Sequence, residues 1–195
     1  TRFVSTHLES FWSPDDVPPS AIQSGQLVRD LGSTTMPLVV LGDFNADPRD
    51  PRAPGANPGD QPEVSAACLV QTGSLPTCNA YWTMVAGGFT DAGPDSTAPG
   101  NRSWGGAADL AGPDAARVDA ARAMGNDRGF TDRLDYVFVR NGAEVVRAYL
   151  VGATWPEGEG TWPCGERVCM ASDHAGVVAE VMIPVSASID ARPGI

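Results

Sequence analysis

The chain has 195 residues, 42% of them hydrophobic, with a formal net charge of -11. No apolar run approaches the roughly 18 residues of a membrane-spanning helix, and the acidity argues against stable nucleic-acid binding, which depends on clustered positive charge. We therefore expect a soluble, monomeric protein without a membrane span. The length fits a single domain over residues 1–195 with a sizeable core, and we expect a flexible tail over 184–195.

Apolar patterning predicts an α/β chain whose elements can be taken in order. Prolines open the first predicted helix and Gly32 can close it, while Gly87 and Gly88 can stop the second. The run 36–45 is almost wholly apolar before its polar end, the pattern of a strand in a sheet covered on both faces. The predicted strands are 2–8, 36–45, 133–140, 143–151 and 174–185, and the predicted helices are 18–32, 79–88 and 114–124.

Two long segments rich in glycine and proline separate these elements. They span residues 46–63 and 91–114. Long loops in a compact domain are often functional, and we expect both to rim the site and to decide its specificity.

The four cysteines form two pairs that are close in sequence. Two disulfides in an exported protein are the favoured interpretation, although a zinc site and reduced thiols remain alternatives. Zinc is disfavoured because neither pair has the Cys-x2-Cys spacing. We therefore predict a secreted bacterial protein whose paired cysteines are Cys68, Cys78, Cys164 and Cys169.

Polar residues of catalytic type recur where predicted strands end, or in the turns just after. An α/β fold brings successive strand ends together at one rim, so these side chains could share a pocket. Each also has an ordinary structural explanation, such as turn chemistry or a satisfied core histidine. The set comprises His7, Asp43, Asn45, Asp135, Asp173 and His174.

Such residue types suit phosphoester hydrolysis, which needs a cation at the phosphate, a base for the attacking water and stabilisation of the departing oxygen. The motifs STHLE, GDFNADP, RLDYVFVR and SDHAGVV, in this order, resemble the later motifs of the endonuclease/exonuclease/phosphatase superfamily. The resemblance implies a deoxyribonuclease I-like fold, a two-layer β-sandwich flanked by helices. It also implies a phosphodiesterase or nuclease-like hydrolase that uses Mg²⁺, with Mn²⁺ or Ca²⁺ as alternatives.

The same resemblance implies a role for each residue. Asp43 would orient or deprotonate the attacking water, with Asn45 holding that carboxylate or a phosphate oxygen. His174 would contact the scissile phosphate, and Asp135 would accept its other ring N–H. His7 would contact the phosphate or assist the leaving oxygen. The predicted metal ligands are Asp173 and Asp43.

The resemblance covers only the later part of the family fold. The family's asparagine and metal-binding glutamate lie on earlier strands, so we expect a domain incomplete at its N-terminus, and Glu9 is not that glutamate. The implied substrate is a nucleic acid, a nucleotide or a lipid head group. The alternatives are a catalytically incomplete fragment that binds phosphate, and an extracellular interaction module.

Overall fold

The computed structural model describes residues 1–10, 17–50, 64–105, 130–152, 161–164, 167–170 and 172–184. Within these ranges the helices are α1 (Pro19–Leu31), α2 (Val64–Thr72), α3 (Leu75–Cys78) and α4 (Ala80–Ala86). The strands are β1 (Arg2–His7), β2 (Leu38–Asp43), β3 (Thr90–Asp91), β4 (Asp135–Arg140), β5 (Glu144–Val151), β6 (Thr161–Cys164), β7 (Arg167–Met170) and β8 (Gly176–Met182).

Within the described ranges, the elements predicted from apolar patterning form where they were expected. Helix α1 begins with a proline at its first position and ends at Gly32, and Asn79 caps α4 by accepting the Trp82 N–H. The elements α2, α3, β3, β6 and β7 were not predicted. Helix α2 has no distinct apolar face in its sequence VSAACLVQT, and the others have only two to four residues, too few to show a clear period. The predicted helix 114–124 and almost all of the predicted tail lie outside the described residues.

Four strands form one mixed sheet in the order β1, β2, β4, β3. Strands β1 and β2 are parallel, whereas β4 runs antiparallel to both β2 and β3. Strands β5 and β8 pair antiparallel with each other, and so do β6 and β7. Because β4 runs opposite to its neighbours, its first residue lies at the same edge as the last residues of β1 and β2.

Helices α1 and α4 cover one face of this sheet. Phe44 is fully buried there, and its ring meets those of Tyr136 and Phe138 edge to face, with centroids 5.8 and 5.0 Å apart. Leu38, Val40 and Met84 are fully buried in the same cluster. This aromatic core anchors the ends of β2 and β4 from which the polar site residues project.

Strand β8 packs against the opposite face. Val177 and Ala179 contact a second buried cluster, which contains Val39, Val137 and Val139. The structure is thus an α/β fold with a mixed four-stranded sheet flanked by helices. The complete two-layer sandwich, the single-domain boundaries and the N-terminal incompleteness stay predictions.

One predicted disulfide is present. Cys68 and Cys78 are bonded, with Cα atoms 5.7 Å apart, and the bond joins α2 to the end of α3. The side chains of Cys164 and Cys169 lie outside the described part, although their strands β6 and β7 pair antiparallel. No helix in the described ranges is long and apolar enough to cross a membrane.

Candidate active site

Three polar residues stand side by side at one edge of the sheet. In the strand register, His7 lies opposite Asp43, and Asp43 lies opposite Asp135. His7 Nε2 is 3.5 Å from Asp43 Oδ2, and the His7 side chain is 74% exposed. The polar ends of three separate strands therefore form one row, in which His7 is exposed whereas the Asp43 and Asp135 side chains are only 11% and 20% exposed.

Gly42 allows the strand before Asp43 to approach β1 closely. Its φ is +142°, and a Cβ atom at this position would lie only 1.8 Å from the Thr6 carbonyl oxygen. Any side chain would push β1 away and widen the gap between His7 and Asp43. The glycine in GDFN therefore serves the site, because only a residue without a side chain fits at this position of β2.

Asn45 fixes the loop after β2 by two bonds. Its backbone N–H donates to Asp43 Oδ1 at 2.8 Å, while its side-chain Nδ2 donates to the Leu8 carbonyl at 2.8 Å. Its φ of +47° is one that asparagine adopts more readily than most residues. The backbone of Asn45, rather than its amide group, holds the Asp43 carboxylate.

His174 joins the row through Asp135. Its Nδ1 lies 2.9 Å from Asp135 Oδ2, and because a carboxylate only accepts, the neutral ring carries its proton on Nδ1. This leaves Nε2 directed toward Asp43, 3.9 Å from Asp43 Oδ2. The pairing of Asp135 with His174 has the geometry that the family resemblance implied.

Asp173 takes a different position from these residues. Its Oδ2 accepts a hydrogen bond from Trp104 Nε1 at 3.2 Å, and the Trp104 ring lies 6.5 Å from that of His174. Asp173 does not belong to the group of possible metal ligands found among the described residues. Its assignment as a metal ligand stays a prediction.

Burial sets the electrostatics of Asp43. Desolvation raises the pKa of Asp43 above its ordinary value of 3.8, and the nearby charge of Asp135 raises it further. The Asn45 N–H and the two histidines act in the opposite direction without cancelling the rise. A carboxylate with a raised pKa is a stronger base than an ordinary aspartate.

His174 has a raised pKa for another reason. Burial alone would lower the pKa of its imidazole, but the hydrogen bond to Asp135 and the charges of Asp135, Asp43 and Asp173 outweigh that effect. The imidazolium form is therefore more populated at neutral pH than in a free histidine. Such a ring can donate from Nε2 to an anionic oxygen.

A charge network centred on Asp47 connects the turn after β2 to the segment before β4. Asp47 is fully buried; its Oδ2 accepts the Arg133 backbone N–H and Arg49 Nη2, each at 2.8 Å. Arg49 also donates to the Thr131 carbonyl at 2.5 Å. These bonds tie the turn after β2 to the segment before β4, so they hold Asp43 and Asp135 at a fixed separation.

Asp43, Asp135 and His174 together have donor atoms that could bind a cation. One atom from each lies within 4.8 Å of the other two. Two carboxylates suit a hard ion such as Mg²⁺, which takes few protein ligands and keeps several waters. The donor set therefore fits a divalent metal.

The structure also identifies polar residues that the sequence did not reveal. Ser103 contacts Asp135, and Asp47 and Arg133 support the site from beneath. The contact between Ser103 and Asp135 spans 32 residues of sequence, and that between Asp47 and Arg133 spans 86. A local sequence pattern cannot predict contacts over such separations. Residues 103–105 of the second predicted loop do border the site, whereas 51–63 and 106–114 lie outside the described residues.

Two aspartates and a histidine at the sheet edge of this α/β fold thus form a candidate metal site. The sequence matches the Endonuclease/Exonuclease/phosphatase family over residues 3–174, and the chain belongs to that family. No curated protein matches at a significant level. A solved mannosyl-6-phosphatase from Bacteroides thetaiotaomicron is similar at 14% identity and a TM-score of 0.47, with 93% of this chain and 51% of that chain covered. The present chain thus spans about half the length of that structure.

Proposed function

We propose that the protein is a divalent-metal-dependent phosphoesterase, most consistent with a phosphodiesterase or nuclease-like hydrolase. The observation that carries this proposal is the arrangement of Asp43, Asp135 and His174 in a member of this family. The arrangement presents a basic carboxylate, an oriented imidazole and oxygen donors for a cation at one solvent-facing edge. Those are the groups that attack on a phosphoester requires.

Asp43 would act on the attacking water. Its Oδ1 is held by the Asn45 N–H, while its Oδ2 lies 3.5 Å from His7 and 3.9 Å from His174. These distances exceed those of direct hydrogen bonds, so the Oδ2 atom is available for a water or a cation between the rings. The raised pKa of Asp43 suits the transfer of a proton from water.

His174 would bind the scissile phosphate. Asp135 fixes the ring and stabilises its charged form, so that Nε2–H can donate to a phosphate oxygen as negative charge accumulates there. His7, exposed at the other side of Asp43, would contact the same phosphate or the leaving oxygen. The two histidines therefore flank the carboxylate that activates the water.

Mg²⁺ is the proposed cofactor, with Mn²⁺ or Ca²⁺ as alternatives, and Asp43 and Asp173 are its proposed protein ligands with Asp135 nearby. When bound, such an ion would neutralise charge on the phosphate oxygens. The substrate is proposed to be a phosphoester in a nucleotide, nucleic acid or lipid head group. The Cys68–Cys78 bond supports the proposal that the protein works in an oxidising, extracellular compartment.

Hydrolysis of bis(p-nitrophenyl) phosphate, with magnesium or with a chelator, tests this function. We expect turnover that requires the metal and falls about 100- to 10,000-fold in His174→Ala, the range for loss of an acid–base or electrostatic group. Asp30→Asn is a matched control, because Asp30 is an exposed carboxylate at the end of α1, away from the edge that carries Asp43. Turnover that survives the chelator or the His174 substitution would refute the proposal.

Binding of inorganic phosphate without turnover would favour the alternative of a phosphate-binding module. Isothermal titration with phosphate separates this outcome from a misfolded preparation, because a misfolded chain would bind nothing. The Asp30→Asn control should bind and turn over like the wild type in either case.

A further inference from the structure

Ser103 is buried at the junction of the two segments that carry Asp135 and His174. Its hydroxyl oxygen accepts hydrogen bonds from the backbone N–H groups of Leu134 and Asp135, at 3.0 and 3.1 Å. A serine hydroxyl has one proton and two acceptor positions, so both acceptor positions are filled by these amides. The proton has one remaining partner among the described contacts, Asp135 Oδ2 at 2.7 Å.

The Asp135 carboxylate thereby receives two donors on the same oxygen. Ser103 Oγ–H approaches Oδ2 at 2.7 Å, and His174 Nδ1–H approaches it at 2.9 Å. A carboxylate held by the histidine alone could rotate about its last bond. The serine prevents that rotation, because turning Oδ2 away would leave a buried hydroxyl without an acceptor.

The backbone of the same residue fixes the histidine. The Ser103 carbonyl accepts a hydrogen bond, at 2.6 Å, from the N–H of Ala175, the residue that follows His174. The Ser103 N–H donates to the Asp132 carbonyl at 2.7 Å. The next residue, Trp104, forms isolated antiparallel β-bridges with both Asp132 and His174. Ser103 therefore contacts the Asp135 carboxylate through its hydroxyl, and the backbone next to His174 through its carbonyl.

We propose that Ser103 is a positioning residue of the active site, which locks the Asp135 carboxylate so that His174 keeps its proton on Nδ1 and directs Nε2 toward Asp43. Ser103 does not touch the substrate in this scheme. The proposal relies on the proposed function only where it concerns turnover, because the state of the His174 ring can be measured in the absence of activity.

Nitrogen-15 NMR of the imidazoles gives that measurement. The chain has only two histidines, and His7→Gln assigns the remaining signals to His174. At about pH 9, above the usual imidazole range, wild-type His174 should show the Nδ1–H tautomer. Ser103→Ala should shift the signals toward the Nε2–H tautomer, and Ser103→Thr, which keeps the hydroxyl, should restore the wild-type pattern.

Turnover gives the second measurement. Loss of a supporting hydrogen bond of this kind typically costs about 10- to 100-fold in activity. We expect Ser103→Ala to lower kcat by that factor with little change in KM, because substrate contacts are retained. Ser96→Ala is the matched control: Ser96 is another buried serine, and its hydroxyl bonds to Tyr81 instead of to Asp135.

An unchanged tautomer and an unchanged kcat in a folded Ser103→Ala variant would overturn the proposal. If that variant does not fold, the test is made on the wild-type protein. Its Ser103 hydroxyl proton should be protected from exchange with solvent, and a rapidly exchanging proton would contradict the proposed hydrogen bond to Asp135. If the wild type shows no turnover at all, the proposed function fails, while the tautomer result still tests the role of Ser103.

Discussion

Substitution of Gly42 by alanine should separate β1 from β2 and damage both stability and the site. The added Cβ would lie 1.8 Å from the Thr6 carbonyl oxygen, whereas Cβ contacts below 3.0 Å essentially never occur. The two strands must therefore move apart by at least 1.2 Å, the difference between these distances. His7 and Asp43, the register pair one residue further along, would separate with them.

Two costs add in this variant. The φ of +142° is strained for alanine, at about 1–3 kcal/mol, and forcing extra volume against the backbone typically costs about 1–3 kcal/mol more. We expect the free energy of unfolding to fall by about 2–6 kcal/mol. The cost should appear even without substrate or metal, because both terms belong to the folded chain alone.

Urea unfolding followed by tryptophan fluorescence measures this cost, and two other glycines separate its parts. Gly73 has a positive φ of +65°, and a Cβ added there would meet no atom within 4 Å, so Gly73→Ala should cost about 1–2 kcal/mol from strain alone. Gly100 has no positive φ, and a Cβ added there would also meet no atom within 4 Å, so Gly100→Ala should stay within about 0.5 kcal/mol. Equal stability for the Gly42 and Gly100 variants would refute the close approach of β1 and β2.

Three further predictions concern charge and the disulfide. Burial raises the pKa of Asp43, so ionisation of this group costs stability as the pH rises above 3.8. In urea unfolding, the stability of Asp43→Asn relative to the wild type should therefore increase with rising pH, and a difference that stays constant or falls with pH would contradict this. The raised pKa of His174 contributes stability that is complete below 6.5 and lost as the pH rises through the folded pKa, so the advantage of wild type over His174→Gln should shrink there, and a growing advantage would be the wrong sign. Replacement of Cys68 and Cys78 by serine should cost about 2–3 kcal/mol by the chain-entropy argument for a 10-residue separation, measured by thermal unfolding; an unchanged melting temperature would oppose a structural role.

The strand ends of the site could be predicted from sequence because each is local. The apolar run before Gly42 and Asp43 indicates a buried strand, and polar residues at its end mark the edge of the sheet. The same logic identifies Asp135 at the start of β4. Family order then brings these distant residues together, a step that periodicity alone does not supply.

The supporting residues could not be predicted in this way. In the sequence, Ser103 looks like any loop serine and Asp47 like an ordinary turn residue. Only the fold shows that Ser103 contacts Asp135 and that the buried Asp47 accepts the Arg133 N–H. Asn45 shows the same limit at finer scale. Its motif predicts a polar contact, but only the backbone geometry shows that its main-chain N–H holds Asp43 while its amide binds Leu8.

The measurement that tests the central claim most directly is a double-mutant cycle on Asp135 and His174 with magnesium and a chromogenic phosphodiester. The 2.9 Å hydrogen bond between these residues makes them one working unit. The cycle compares kcat/KM of Asp135→Asn, His174→Gln and the double variant. The double variant should lose no more kcat/KM than the worse single variant, because the effects of residues that act as a unit are strongly non-additive. Independent, multiplicative losses, or single variants with full activity, would contradict a catalytic site built on this pair.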